Sequence, residues 1–462
     1  MNLLLGIDLG TSYFKVGLFG ETGVLRGLGR VAVTTRAPQS GQCELPVEMF
    51  WDLLRQGLAE ALAQAGTTGE RIAGVAYSSQ ASTFLLLDHQ DVALTPLVLW
   101  TDTRAASLDE SWRQFTLTEK FGGTTGFNGS SSNAAAAKWL WFQRHQPELW
   151  TRVHSIMTLS DYVTFVLTGE RVGDAGTAAL LGTFDLQAKA WWPEAIAHYG
   201  IGDKQISRPL LPGTFVGKTT AQAARLLGLP AGSPFGVGSL DHHVAALGSG
   251  LGSVADAGIS TGTVLAAVAL TDRVIPQARC YHGVHFTGTE FFRLAFEPAG
   301  AGQLEEYQRL FAPTYSLEQL ISLAEKIPAG ARPTHRPRQG DGEHDQAVFV
   351  RFILERIAFD HRRLLQRLQG AKPVQRVVAS GGATRSGTWL QIKADMLGVP
   401  VIAQIAPESA CLGAAMLASV VAGVHSSASS AAKAMCHPGR EYLPNPTNVA
   451  RYRDWVSELP LQ

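Results

Sequence analysis

A chain of 462 residues, 45% hydrophobic and 17% charged, with 48 Gly and 22 Pro, is longer than one hydrophobic core usually grows. Two domains of roughly 200 residues each, with a cleft between them, are expected, and the composition argues against disorder. Lys plus Arg equal Asp plus Glu at 39 each, so no global field recruits nucleic acid or an anionic membrane, and any phosphate handling must be local.

The cysteines Cys43, Cys280, Cys411 and Cys436 have no CxxC spacing, which argues against a zinc ribbon or a disulfide framework and for reduced thiols in the cytoplasm. The first residues, Met1-Asn2-Leu3-Leu4-Leu5, lack the basic region and cleavage site of a signal peptide. The apolar run from Cys411 to Val424 is too short to span a bilayer and reads as a buried helix.

In chain order, apolar runs at 3–9 and 15–19 joined by Gly10-Thr11-Ser12, with a third after Gly23, predict a meander of strands. Helical periodicity follows at 48–65, a strand at 72–77 leads into Ser78-Ser79-Gln80, and another strand ends at Trp100. Residues 138–167 are expected to be mainly helical. After Pro234 a strand reaches Gly238 and meets Asp241, and the pattern restarts with strands across 254–271 and 279–296 and helices near 301–311 and 316–326. The restart sets the expected boundary, dividing an N-terminal domain 1–248 from a C-terminal domain 249–462. The polar segment 331–346 is expected as an exposed loop, followed by an amphipathic helix over 347–369.

Three constellations suggest chemistry. In Gly6-Ile7-Asp8-Leu9-Gly10-Thr11-Ser12, glycine lets backbone N–H groups approach a phosphate, Thr11 and Ser12 add donors, and Asp8 could hold magnesium through water; an ordinary β-turn is the bland alternative. Ile259-Ser260-Thr261-Gly262-Thr263 places a second Gly-Thr turn in the restarted half, suiting a fold that grips a polyphosphate from two sides. Gly381-Gly382, after the strand Arg376-Val377-Val378, offers bare backbone to a nucleotide at a helix start, or a plain tight turn. The small-residue helix from Cys411 suits close packing between domains.

In this order and spacing the pieces resemble the phosphate, connecting and adenosine motifs of the actin, heat-shock chaperone and hexokinase superfamily. More narrowly, the chain resembles the FGGY carbohydrate kinases over nearly its whole length. That likeness rests on Trp100-Thr101-Asp102-Thr103-Arg104, Lys138 to His145, Leu167-Thr168-Gly169-Glu170, Gly238-Ser239-Leu240-Asp241, and Gly381-Gly382-Ala383 with Trp389, Asp395 and Leu397-Gly398-Val399-Pro400. The resemblance implies an α/β protein of two actin-like, ribonuclease H-like domains with a catalytic cleft, acting on a sugar with ATP and Mg2+.

It further implies that Asp241 is the base accepting the proton of the attacking hydroxyl, while a helix cap is the structural alternative. By the same resemblance Asp8 orients hydrated Mg2+, and Gly10, Thr11, Ser12, Thr261, Gly262 and Thr263 hold phosphate. Gly300, Gly302, Gly381 and Gly382 line the nucleotide, and Gln80, Trp100, Asp102, Asp241 and His242 meet the sugar. Trp100 is equally compatible with a core role. Ala81-Ser82 follow Gln80 where xylulose kinases typically carry Met-His and glycerol kinases Arg-Glu, so this position supports neither specificity; the expected substrate is a ketopentose such as D-xylulose, with glycerol- or erythritol-type polyols as the alternative. No nucleic-acid or membrane partner is expected, a homodimer is admitted, and oligomeric state stays open.

Among rivals, Gly213 to Thr219 nearly spells a P-loop but is one residue short and follows Pro209-Leu210-Leu211-Pro212 rather than a buried strand. A non-catalytic sugar or ATP sensor is opposed by the intact Asp8, Asp241 and glycine turns, and a chaperone-like ATPase by the absence of residues for a peptide-binding domain.

Overall fold

The computed structural model describes residues 2–107, 109–127, 131–262, 264–277, 279–297, 300, 302–368, 370, 373–405 and 408–457. Thr263, expected to hold phosphate, lies outside them. The chain forms two compact units, each assembled from separate stretches: Met1–Gly248, Leu270–Arg293 and Glu408–Cys436 in the first, Ser249–Ala269, Leu294–Pro407 and His437–Gln462 in the second.

The first unit is built on a sheet whose strands run in the order Phe215–Lys218, Pro234–Gly236, Ile72–Ser79, Leu3–Leu9, Tyr13–Phe19, Leu25–Ala32, with Ser239–Leu240 also paired to Ile72–Ser79. Leu3–Leu9 is buried along its whole length, as a strand covered on both faces must be. Its alternate residues divide accordingly. Leu3, Leu5, Ile7 and Leu9 join one core with Phe50, Leu54 and Leu58 of helix Val47–Ala65, while Gly6 on the other face lies against the backbone of helix Ser409–Val421. The small-residue helix, expected between domains, therefore packs inside the first unit. A Cβ on Gly6 would stand 2.0 Å from Cys411 O, and one on Gly413 would stand 2.0 Å from Val244 O of helix Asp241–Gly248.

The near-P-loop segment is strand Phe215–Lys218, antiparallel to Pro234–Gly236, which is not the strand-to-helix turn that a P-loop requires. The stretch expected as mainly helical is broken: helix Ala135–His145 stops before Pro147, strand Ser155–Thr158 intervenes, and helix Leu159–Thr168 begins with a Thr158–Asp161 capping box.

In the second unit the strand order is Phe291–Glu297, Leu265–Thr271, Ala257–Thr261, Val377–Gly381, Val401–Gln404, Pro438–Tyr442. Its centre repeats the first unit's plan. Leu3–Leu9 is antiparallel to the next strand and parallel to Ile72–Ser79, and Ala257–Thr261 is antiparallel to Leu265–Thr271 and parallel to Val377–Gly381. Helix Glu343–Leu368 starts earlier than its hydrophobic pattern predicts, with Glu343 and Asp345 in the first turn, where acidic side chains complement the helix dipole.

Candidate active site

In the first unit three adjacent strand ends bring the acidic residues together. Asp8 pairs with Ser78, and Ser78 with Ser239, in one register row, so Asp241 begins its helix two residues beyond the same row. Asp8 is 5% exposed, and its Oδ1 accepts from Ser78 Oγ at 2.9 Å. Burial pushes its pKa up from 3.8 to about 6 against the opposing charge of Lys15, and the negative charges of Asp241 and Glu408 add to the rise. Asp241 Oδ1 accepts from the backbone N–H of His242 at 2.7 Å, leaving Oδ2 with no protein donor among the described residues.

Lys15 stands opposite Asp8 across the hairpin. Its Nζ is 3.5 Å from Asp8 Oδ2 and 2.8 Å from Glu408 Oε2, at the start of the close-packed helix. The sequence reading missed Lys15 as part of this cluster. The available signal was the turn itself, since a short hairpin around 10–12 sets residue 8 across from residue 15.

A second network ties the Gly10-Thr11-Ser12 turn to the expected sugar residues. Gln80 Nε2 donates to Gly10 O at 3.1 Å, and its Oε1 accepts from Thr83 Oγ1 at 2.9 Å and from Thr11 Oγ1 at 3.4 Å. Trp100 Nε1 donates to Thr11 Oγ1 at 2.8 Å, and Trp100 N to Thr83 Oγ1 at 3.1 Å. Gln80 is thus buried and engaged, whereas Trp100 is half-buried and Ser12 exposed. Beneath Trp100, the fully buried Lys138 donates to the carbonyls of Leu99, Trp100 and Asn133 at 2.9, 3.1 and 3.2 Å. Burial brings its pKa down to about 7.

Asp102 is 0% exposed. It accepts from Cys43 N at 2.6 Å, Arg104 N at 3.0 Å, Arg104 Nε at 2.9 Å and Arg104 Nη2 at 2.8 Å. A carboxylate has about four acceptor sites, so this one is saturated by the protein and its direct work is to hold the loop after Trp100. His242 is half-buried beside Asp241, while His243 is buried and stacks on Phe292 at 4.2 Å, matching adjacent residues that point apart.

In the second unit Thr261 and Gly381 are register partners. Gly381 has φ +86°, and a Cβ there would lie 2.4 Å from Thr261 O, so only glycine suits both the backbone conformation and the close approach. Gly262, Gly381 and Gly382 are exposed, leaving bare backbone facing outward. Gly300 is buried and Gly302 opens helix Gly302–Phe311. Underneath, the fully buried Lys393 donates to Thr261 Oγ1, and burial lowers its pKa to about 7. The sequence reading missed Lys393 as well. Its only hint was a lysine amid the buried side chains of helix Gly387–Leu397.

The family model described as "FGGY family of carbohydrate kinases, N-terminal domain" matches residues 3–248, and its C-terminal counterpart matches residues 310–422. The chain belongs to the FGGY family of carbohydrate kinases. It is therefore a carbohydrate kinase with the family's two-domain, actin- and hexokinase-like fold, and ATP use is a general property of FGGY enzymes. Among its relatives, a xylulose kinase of Bacillus subtilis is 28% identical, with 98% of this chain and 95% of that protein covered. An L-xylulose/3-keto-L-gulonate kinase of Escherichia coli is 26% identical, covering 97% of this chain and 94% of that one. A solved xylulose kinase from Rhodospirillum rubrum superposes with a TM-score of 0.86 at 27% identity, covering 99% of this chain and 98% of that one. No helix among the described residues of this FGGY kinase is long and apolar enough to cross a membrane.

Proposed function

We propose that this FGGY kinase transfers the terminal phosphoryl group of ATP to a ketopentose, best D-xylulose, with Asp241 as general base. The observation that carries the reading is the register row that sets Asp8 and the start of the Asp241 helix at strand ends on either side of Ile72–Ser79. The relatives named xylulose kinase favour xylulose as the ketopentose. Asp241 Oδ2 takes the proton of the attacking hydroxyl while Oδ1 stays bonded to His242 N, which fixes the carboxylate's orientation. The oxygen–phosphorus bond to the sugar forms as the bond to the leaving ADP oxygen breaks, so the chemistry needs positioning and charge neutralisation more than covalent help.

Asp8 suits Mg2+ because the negative charges of Asp241 and Glu408 both act on it, while Lys15 is the cation paired with it and with Glu408 among the described residues. A bound Mg2+ would neutralise phosphate charge. Gly10, Thr11, Ser12 and Thr261-Gly262 are assigned to phosphate, and Gly300, Gly302, Gly381 and Gly382 to the nucleotide. Trp100, oriented by Thr11 and by Lys138, supplies an apolar floor for the sugar, with Gln80 and Asp102 acting through the turn and loop they hold and His242 at the rim. The first unit thus carries the sugar side and the second the nucleotide side.

The test is ADP release with Mg-ATP across D-xylulose, L-xylulose, ribulose, 3-keto-L-gulonate, glycerol and erythritol. D-Xylulose should give the highest kcat/KM, and a higher value for any other compound would replace it as substrate. Asp241→Asn should lower kcat by about 10^2- to 10^4-fold with ATP affinity retained; near-normal turnover in that variant would remove Asp241 from the role of base.

A further inference from the structure

The loop leading into helix Glu343–Leu368 has no part in the proposed chemistry, yet it holds the one His/Asp group among the described residues with metal-ligand spacing. His335 Nε2, an Asp341 oxygen and an Asp345 oxygen all lie within 4.8 Å of one another. His335 Nε2 is 3.2 Å from Asp341 Oδ1. Two ligands at about 2.0–2.1 Å from a tetrahedral ion stand roughly 3.3–3.4 Å apart, so an ion could take the place of that hydrogen bond with little movement of either side chain.

Two further groups show that the spot is more than a cluster of charges. Tyr307 is only 4% exposed and its hydroxyl has no hydrogen-bond partner among the described residues. Asp341 and Asp345 lie near enough for their charges to act on it. Tyr307 and His335 also pack on the same ring, that of Phe349, with centroids 5.9 and 5.4 Å away. Gln346, 6% exposed, donates from Nε2 to Asp341 O at 2.8 Å, and its Oε1 is buried without a partner among the described residues. A buried polar atom without a protein partner calls for an explanation such as a water or an ion.

The imidazole's far side is prepared as well. His335 Nδ1 is 3.3 Å from Thr334 Oγ1, which allows Nδ1–H to donate there while Nε2 binds, the arrangement that fixes a ligating histidine's tautomer. Asp341 Oδ2 is held by Arg338 N at 2.8 Å, leaving Oδ1 for the ion.

We propose that His335, Asp341 and Asp345 form a structural binding site for one divalent transition-metal ion of the zinc class, clipping the loop 334–342 to the start of helix Glu343–Leu368. One imidazole with two carboxylates favours Zn2+, Co2+ or Mn2+ over Mg2+, which prefers all-oxygen sets. The site is independent of the sugar and ATP assignments.

The test uses untagged, full-length protein stripped with EDTA, titrated with Zn2+ against a chromophoric chelator, and with Co2+ followed by its visible absorption. The expected result is one equivalent of Zn2+ bound, with excess Mg2+ failing to displace it and Co2+ giving the spectrum of a nitrogen- and oxygen-ligated ion. Asp345→Asn and His335→Gln should each weaken Zn2+ binding at least tenfold. His344→Gln, an exposed neighbour, should leave it unchanged, and circular dichroism of the variants controls for folding. No stoichiometric binding, binding that survives both ligand substitutions in folded protein, or displacement by Mg2+ would each overturn the proposal.

Discussion

At the scale of one residue, Asp8 carries a burial cost that its proposed role would require. Its pKa in the folded protein, about 6, lies above the ordinary 3.8, so the native state binds this proton more tightly than the unfolded chain does. The sign follows from linkage: ionised Asp8 destabilises the fold at pH above about 6, and the cost disappears as pH falls toward 4. A shift of about two units corresponds to roughly 2–3 kcal/mol. Asp8→Asn is therefore expected to raise the thermal midpoint at pH 8, to give a gain that shrinks on approaching pH 4, and to lose kinase turnover. Thermal melts across pH 4 to 8 check this, and a variant less stable than wild type at pH 8 would show that the Lys15 pairing outweighs the burial cost. Lys138 and Lys393 face the same burial cost with the opposite sign of charge, since burial lowers each pKa to about 7 and each amine donates to oxygen acceptors with no carboxylate bonded to it among the described residues.

At the scale of elements, helix Ser409–Val421 depends on backbone-to-backbone approach at Gly413, where a methyl group would meet Val244 O. Gly413→Ala should cost about 1–3 kcal/mol through overpacking, read as a lower urea midpoint with an unchanged slope. A neutral result would mean that the helix can slide away from Asp241–Gly248. The strands were legible from their apolar runs because most are central and buried, and the Gly-Thr turns from composition. The break within 138–167 was hidden because Ser155-Ile156-Met157-Thr158 is apolar enough to extend a helical pattern, and the early start of helix Glu343–Leu368 was masked by polar residues. Within the candidate site, Asp8, Gln80, Trp100 and Asp241 could be proposed from motifs. The saturation of Asp102 and the Lys15–Glu408 pair could not, because they depend on partners such as Cys43 and Glu408 whose proximity only the fold creates.

Across the whole molecule, the first unit is not a contiguous stretch of chain. It needs Glu408–Cys436 to cover one face of its sheet, so a fragment 1–248, although it coincides with one family model, is expected to aggregate when made alone. Fusing 408–436 to it through a flexible linker should restore soluble, cooperatively melting protein, as judged by size-exclusion chromatography and circular dichroism. If 1–248 alone were monomeric and cooperative, the late helix would be dispensable to that core.

The same wiring sets a timetable for the chain in the cell. The sheet around Asp8 is synthesised long before the helix that lies on Gly6. At about 5–20 residues per second, translation leaves that apolar face waiting on the order of ten seconds or more. Over that interval the nascent chain offers chaperones a binding surface that the finished enzyme no longer has.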